Sequence, residues 1–305
     1  MNKLKILVSG SNGLLGQKIV YQLLKRNNID LIATAKGPNR LSEKTGYQYY
    51  DLDITIKNQV NNIFNDLKPH AIINCAAMTN VDACEQNQED CWNINVKAVE
   101  YIAIASESIK AHLVHLSTDF IFDGKSGPYS EEDTPNPLNF YAKSKLESER
   151  IVQKIMTKWS IARTIIIYGV TDNMSRSNLV LWAKKEMENG NVINVINDQF
   201  RSPTFAEDLA KGCISLVDHS AFGIYHLSGP KTYSILELVN LVADFYNLDK
   251  SLINPISTSS LNQPAKRPLV TGFIIDKAIK EFGYDPVDFL EGITIMDQQI
   301  KKNEI

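Results

Sequence analysis

A tyrosine and a lysine four residues apart, Tyr141 and Lys145 in "FYAKSK", can share one face of a helix. A phenol beside an ammonium makes a general acid, because the positive charge pulls the phenol's pKa down from about 10. Just upstream, "HLVHLST" ends an apolar run in two hydroxyls, Ser117 and Thr118. A hydroxyl such as that of Thr118 can hold a substrate carbonyl while the tyrosine protonates its oxygen. The spacing alone proves little. Tyr21/Lys25 and Tyr246/Lys250 repeat it in or near amphipathic helices, and both read as coincidental. Context singles out Tyr141, which follows a strand ending in hydroxyls.

A second group of residues suits a phosphate. The apolar run Lys5–Ser9 leads into "GSNGLLG", with glycines at 10, 13 and 16. Strand, glycine turn and helix together let backbone N–H groups and a helix N-terminus approach a pyrophosphate. The spacing G-x-x-G-x-x-G departs from the G-x-G-x-x-G fingerprint, and alone it is equally tight-turn chemistry. "DLD", Asp51–Asp53, follows the third strand; Asp53 either accepts from an adenine amino group or caps the next helix. The second strand, "DLIATA", lacks the terminal carboxylate that NAD-preferring folds set against the ribose 2′-hydroxyl. "KGPNR" follows, so Lys36 and Arg40 are either partners of a 2′-phosphate or solvated loop charges, and Ser11 can add a hydroxyl donor. The expected cofactor is NADP(H), with NAD(H) second.

These groups need a scaffold to position them. Short apolar runs and amphipathic ones alternate: strands at "KILVS", "DLIATA", "YQYYDLD", "HAIINCAA", "HLVHLST" and "SIARTIIIYG", with helices between, including one long helix over "CWNINVKAVEYIAIASES". That alternation predicts an α/β protein with a Rossmann-type, doubly wound parallel sheet. After Gly169 the rhythm changes and a smaller α/β substrate-binding lobe is expected. The division is residues 1–170 plus about 202–229 for the nucleotide-binding domain, and about 171–201 plus 230–305 for the lobe.

Composition narrows the partners. The chain has 305 residues, 44% hydrophobic and 22% charged, with a net charge of −3, which argues against nucleic acid or an anionic membrane as partner. No apolar stretch approaches a membrane span and no signal peptide is read, so a cytoplasmic location is expected. Cys75, Cys84, Cys91 and Cys213 form no C-x-x-C pair and have no histidine cluster, so neither a metal nor a disulfide framework is expected.

Taken in order, the glycine turn, "NCAA", "STD" and "YAKSK" resemble an extended short-chain dehydrogenase/reductase. "INCAAMTNVDACE", "HLSTDFIFDG", "PLNFYAKSKLESE", "VINDQFRSPTFAEDLA" and "GIYHLSG" are similar to the dTDP-4-dehydrorhamnose reductases. The resemblance implies a catalytic set of Thr118, Tyr141 and Lys145, the last two also touching the nicotinamide ribose. It implies a pyrophosphate loop of Gly10, Ser11, Asn12, Gly13, Leu14, Leu15 and Gly16. Asp53 and Ile54 match the adenine contact, and Ala76 and Ala77 the backbone lining of the cofactor cleft. Asn95 matches a helix position near the active site, or is a helix-surface residue. The related dehydratases carry an acidic pair after the threonine; here Asp119 is followed by Phe120, which favours simple carbonyl reduction. Thr118, Asp119 and Arg201 are the expected substrate-side residues, though Arg201 is equally readable as a surface arginine pairing with a nearby acid. Where rhamnose-forming members contact the nucleotide sugar with a tryptophan, this chain has Ile167. The implied reaction is NADPH-dependent reduction of the 4-keto group of a nucleotide-linked deoxysugar, dTDP-4-dehydrorhamnose to dTDP-L-rhamnose first. Other sugar-nucleotide reductases or epimerases, and a non-catalytic NADP-binding regulatory subunit, are the alternatives. A homodimer is compatible with all of them.

Overall fold

The computed structural model describes residues 3–173 and 177–303. The first half runs β1 (Leu4–Ser9), α1 (Leu14–Leu24), β2 (Ile29–Ala35), β3 (Gln48–Asp51), α2 (Lys57–Leu67), β4 (Ala71–Asn74), α3 (Val81–Gln86), α4 (Gln88–Trp92), α5 (Ala98–Ser108), β5 (His112–Thr118), α6 (Phe140–Ile155) and β6 (Trp159–Thr164). The second half runs β7 (Ile167–Tyr168), α7 (Leu179–Glu188), β8 (Ile193–Ile196), β9 (Phe200–Arg201), β10 (Thr204–Phe205), α8 (Ala206–Asp218), β11 (Gly223–His226), β12 (Tyr233–Ser234), α9 (Ile235–Tyr246), β13 (Ile253–Ile256), α10 (Asp276–Phe282) and α11 (Phe289–Asn303).

Seven of the strands make one sheet in the order β11-β6-β5-β4-β1-β2-β3, and every pair in it is parallel. The chain starts mid-sheet, winds outward through β2 and β3, then returns to the other side of β1 at β4. That reversal opens a crevice at the carboxyl ends of β1 and β4, where sheets of this kind bind ligands. Alternate residues of β1 feed the two faces, as the period of two requires. Ile6 and Val8 pack with Leu15, Ile19 and Leu209 on one side, and Leu7 with Phe64, Val99 and Ile102 on the other. The sheet is therefore the Rossmann-type doubly wound sheet expected from the sequence.

The remaining elements form a smaller packed unit. Val180, Ala183, Leu238, Val242, Ile293 and Met296 share a third core, and β8 pairs with β13 beside it. The expected division of the chain is corrected in its last part. Phe273, Ile275, Ala278 and Tyr284 pack into the first core against α8 and β11, so the chain leaves the lobe and returns before α11 rejoins it. Conversely, Tyr168 and Phe205 face the lobe core.

The long helix expected over residues 91–108 is interrupted. A single π turn, Asn93–Lys97, separates α4 from α5. Such turns tend to mark functional positions, because the extra residue pushes one side chain out of register. The side chain that this turn presents is Asn95. Among the described residues no helix is long and apolar enough to cross a membrane, and no group of three metal-ligating side chains occurs. None of the four cysteines is joined in a disulfide.

Candidate active site

The glycine turn lies at the crevice. Gly10 has φ +72, and a Cβ there would come within 2.7 Å of the Ala76 backbone nitrogen. A Cβ on Gly16 would lie 2.3 Å from the Gly10 carbonyl oxygen. Both glycines are needed for contact: one brings the loop against the end of β4, and the other lets α1 start beneath it. The Gly13 N-cap residue of α1 makes no side-chain cap, and no acidic residue stands in the first turn. Its amides stay available to an anion. Ser11 Oγ and Ser117 Oγ are buried with no hydrogen-bond partner among the described residues. Such orphaned polar atoms ask for a ligand that brings acceptors. The cradle, the uncapped helix and the two orphan hydroxyls together fit a dinucleotide.

Asn12 organises the next loop rather than pointing into the crevice. Its amide donates to the Pro38 carbonyl and accepts from the Arg40 backbone N–H, each at 2.9 Å. Leu14 is half-buried and Leu15 buried on α1. Lys36 is 79% exposed and reaches Asp53 at 2.7 Å. Asp53 also accepts from the Thr55 backbone N–H and hydroxyl, so it does act as a local turn cap. Burial pushes its carboxyl up, but Lys36 and Thr55 outweigh that and hold it below the usual value. Lys36 and Asp53 thus arrive together at the edge of β2 and β3, and Ile54 is buried beside them. Arg40 is exposed on the same loop, and Ala76 and Ala77 are half-buried after β4.

The three chemical groups converge one strand further. Thr118 is the last residue of β5. Asn139 caps α6 by accepting from the Ala142 backbone N–H at 2.8 Å, which sets the register that turns Tyr141 and Lys145 toward the sheet. Both are buried, and the Thr118 hydroxyl is close enough to Tyr141 to act on its phenol. Burial drives the Tyr141 phenol well above its ordinary pKa, although the Thr118 contact opposes it. Burial pushes Lys145 down to about 8, against the attraction of Glu149, Cys91 and Cys75. Burial thus shifts both groups toward their neutral forms, though a lysine titrating near 8 still carries its charge at neutral pH. Thr118 Oγ accepts from the Phe120 backbone N–H at 3.2 Å and donates to Asp119 at 3.1 Å.

Asn95 is fully buried, which excludes the helix-surface alternative. Its oxygen accepts from the Met78 backbone N–H at 2.8 Å, and its nitrogen donates to the Met78 carbonyl at 3.0 Å and Ser144 Oγ at 3.1 Å. It ties the chain after β4 to the helix that carries Tyr141.

Arg201 is corrected. It is 1% exposed, and its guanidinium donates to the carbonyls of Phe200, Leu269 and Pro268 and to Gln199 Oε1. Its Nε lies 3.6 Å from Asp119. With its donors engaged by the protein, Arg201 is a clamp on the 268–269 segment rather than a free group for a substrate phosphate. It pairs with an acid, as the alternative held, but in the interior rather than at the surface. Asp119 is buried beneath the site, held by Arg201, Thr118 and the Thr271 hydroxyl, so it too is a support rather than an open substrate contact.

The two other tyrosine–lysine spacings do no comparable work. Tyr21 donates to Asp172 while Lys25 is exposed, and Lys250 pairs with Asp244. One residue that sequence reasoning passed over, His115, lies 3.3 Å from Lys145 Nζ. Its only signal was a polar residue at a sheet-facing position of β5.

A parallel sheet with a glycine cradle at its switch point, and a Thr–Tyr–Lys group at the next strand end, define a dinucleotide-binding protein of the extended short-chain dehydrogenase/reductase class. The chain belongs to the RmlD substrate binding domain family, whose model matches residues 4–301. It is 31% identical over 297 residues to a dTDP-4-dehydrorhamnose reductase of Aggregatibacter actinomycetemcomitans, covering 93% of this chain and 95% of the relative. It is also 31% identical over 269 residues to methionine adenosyltransferase 2 subunit beta of Danio rerio, covering 87% and 80%. A crystal structure of dTDP-4-dehydrorhamnose reductase from Bacillus anthracis in complex with NADP superposes with a TM-score of 0.86 at 28% identity, covering 97% and 99%.

Proposed function

We propose that this protein is an NADPH-dependent reductase of the 4-keto group of a nucleotide-linked deoxysugar, dTDP-4-dehydrorhamnose being the first substrate to test. The observation that carries the reading is the convergence of Thr118, Tyr141 and Lys145 beside the glycine cradle. The reductase named above and the NADP-bound structure support it.

Bound NADPH supplies the hydride. The amides of the Gly10–Gly16 turn and the start of α1 hold the pyrophosphate, with Ser11 as an added donor. Lys36, drawn from Asp53, and Arg40 accept a 2′-phosphate, while Asp53 and Ile54 bound the adenine. Ala76 and Ala77 line the cleft beside it. Thr118 turns its hydroxyl from Asp119 to the keto oxygen. Tyr141 donates its proton to that oxygen as charge develops there, and Lys145, against the ribose, stabilises the phenolate left behind. Phe120 stands where a dehydratase would carry a second acid, so that position offers no group to remove a proton from the neighbouring carbon.

The test is NADPH oxidation followed at 340 nm with a panel of nucleotide-linked 4-keto sugars. Turnover with at least one supports the reading; cofactor binding without turnover on any of them overturns it. The likeness to methionine adenosyltransferase 2 subunit beta favours one second reading, a non-catalytic NADP-binding regulatory subunit. Co-purification with a methionine adenosyltransferase and a change in its activity would support that reading.

A further inference from the structure

His115 is fully buried on β5, and the chemistry above gives it no task. The hydrogen bonds around it fix its tautomer from two sides. Asn74 Oδ1 accepts from the Ala76 backbone N–H at 3.3 Å and from the Ser9 hydroxyl. The Asn74 amide nitrogen is therefore the atom turned to His115 Nδ1, 3.2 Å away, and Nδ1 must accept. On the other side, Ser148 Oγ gives its one proton to the Lys145 carbonyl at 2.7 Å. It can only accept from His115 Nε2, at 2.9 Å. Both arguments put the proton on Nε2, and the same Nε2 lies 3.3 Å from Lys145 Nζ. Lys145 therefore faces a donor. An ammonium gains nothing from that contact, whereas the lone pair of a neutral amine can accept from it.

We propose that His115 is a positioning residue for Lys145: its Nε2–H steadies the amine beside Tyr141 and, by favouring the uncharged form, sets the pH at which Lys145 gives up its proton. The other groups facing Lys145 are Glu149 on its own helix, Cys91 from α4 and Cys75 after β4, and all three favour the charge. Glu149 is itself held by Arg163 of β6, at 2.8 Å. Burial and the nearby Lys145 keep His115 neutral, so it acts as a fixed donor rather than a second titrating group. The proposal depends on the reductase reading only for what Lys145 does once charged.

The experiment follows NADPH binding by its fluorescence from about pH 6.5 to 9.5, alongside kcat/KM over the same range. A charged Lys145 grips the ribose, so both readouts fall as pH rises through its titration. His115→Met fills the site without an N–H, so Lys145 no longer faces a donor, and both midpoints should move up by about one pH unit, a tenfold gain in proton affinity. Ser148→Ala removes the acceptor that shares the Nε2–H, and should move them down. Opposite shifts are not expected of a residue that only fills space. Midpoints that stay in place in both variants overturn the proposal, as does wild type with no midpoint in this range. Should His115→Met fail to fold, Ser148→Ala decides alone. Wild type that binds NADPH with a midpoint but reduces no keto sugar sinks the reductase reading and leaves this inference standing.

Discussion

At the scale of single residues, Tyr141 stands apart from the other tyrosines by its surroundings. Its hydroxyl meets Thr118 within a buried site, whereas that of Tyr21 is spent on Asp172. Tyr141→Phe should cost about 10²–10⁴ in kcat, the usual worth of a placed acid. Tyr21→Phe and Tyr246→Phe should leave kcat within about twofold. Full activity in a folded Tyr141→Phe protein would remove it from the mechanism. Lys145 makes a second prediction, on stability. Burial lowers its pKa from 10.5 to about 8. Between those values the unfolded chain binds the proton and the folded one does not, so stability rises as pH rises from 8 to 10.5. Below pH 8 the full cost is present, at most about 3 kcal/mol. Lys145→Met removes that cost. It should be the more stable protein in urea at pH 7.5, and its advantage should shrink by pH 10; an unchanged difference between the two pH values would contradict the assignment.

Elements decide what these residues can reach. The loop between β2 and β3 carries Lys36, and its backbone is stapled by Asn12. Lys36 is exposed and paired with Asp53, so a 2′-phosphate would compete with that carboxylate. Lys36→Glu should lower the NADPH-to-NADH ratio of kcat/KM by about tenfold or more, the worth of a charge-assisted contact. The assay belongs at low ionic strength, because exposed pairs are screened by salt. A ratio that does not move would return Lys36 to the role of a solvated loop charge. The central strands were legible from their apolar runs, and β5 begins and ends where "HLVHLST" does. So was α6, because Tyr141, Lys145 and their cap follow local rules. The π turn was not, since a single extra residue leaves the apolar period of 91–108 nearly unchanged. Nor were β13 and the return of residues 273–284 to the first core, which depend on partners far away in the chain. Asn95 and His115 share that difficulty: a buried polar residue declares its role only through neighbours from other elements.

At the scale of the whole molecule, the question is what holds the lobe to the sheet over the site. Arg201 answers part of it. Two residues from the 268–269 segment, one from β9 and the side chain of Gln199 give it acceptors, while Asp119, just beyond β5, supplies the opposing charge. Burial pushes the Asp119 carboxyl up, and Arg201, Thr271 and Thr118 push back. This is a buried ion pair that touches Thr118 through a shared carboxylate, so lobe and catalytic strand are coupled at Asp119. Removing one partner leaves an uncompensated charge and orphaned carbonyls, which costs about 3–5 kcal/mol. Arg201→Ala should therefore lose that much stability in urea. Its kcat should also fall, because Asp119, buried without its guanidinium, is driven to take up a proton and no longer orients Thr118 as a carboxylate. A phosphate contact would behave otherwise: KM for the nucleotide sugar would rise while stability held. Arg201→Lys separates the two further, since a lysine keeps the charge but cannot serve the several acceptors at once. It should recover little of the stability. Measured together, urea midpoint and KM distinguish the clamp from the contact: a stable Arg201→Ala protein with only a raised KM would restore Arg201 to the substrate.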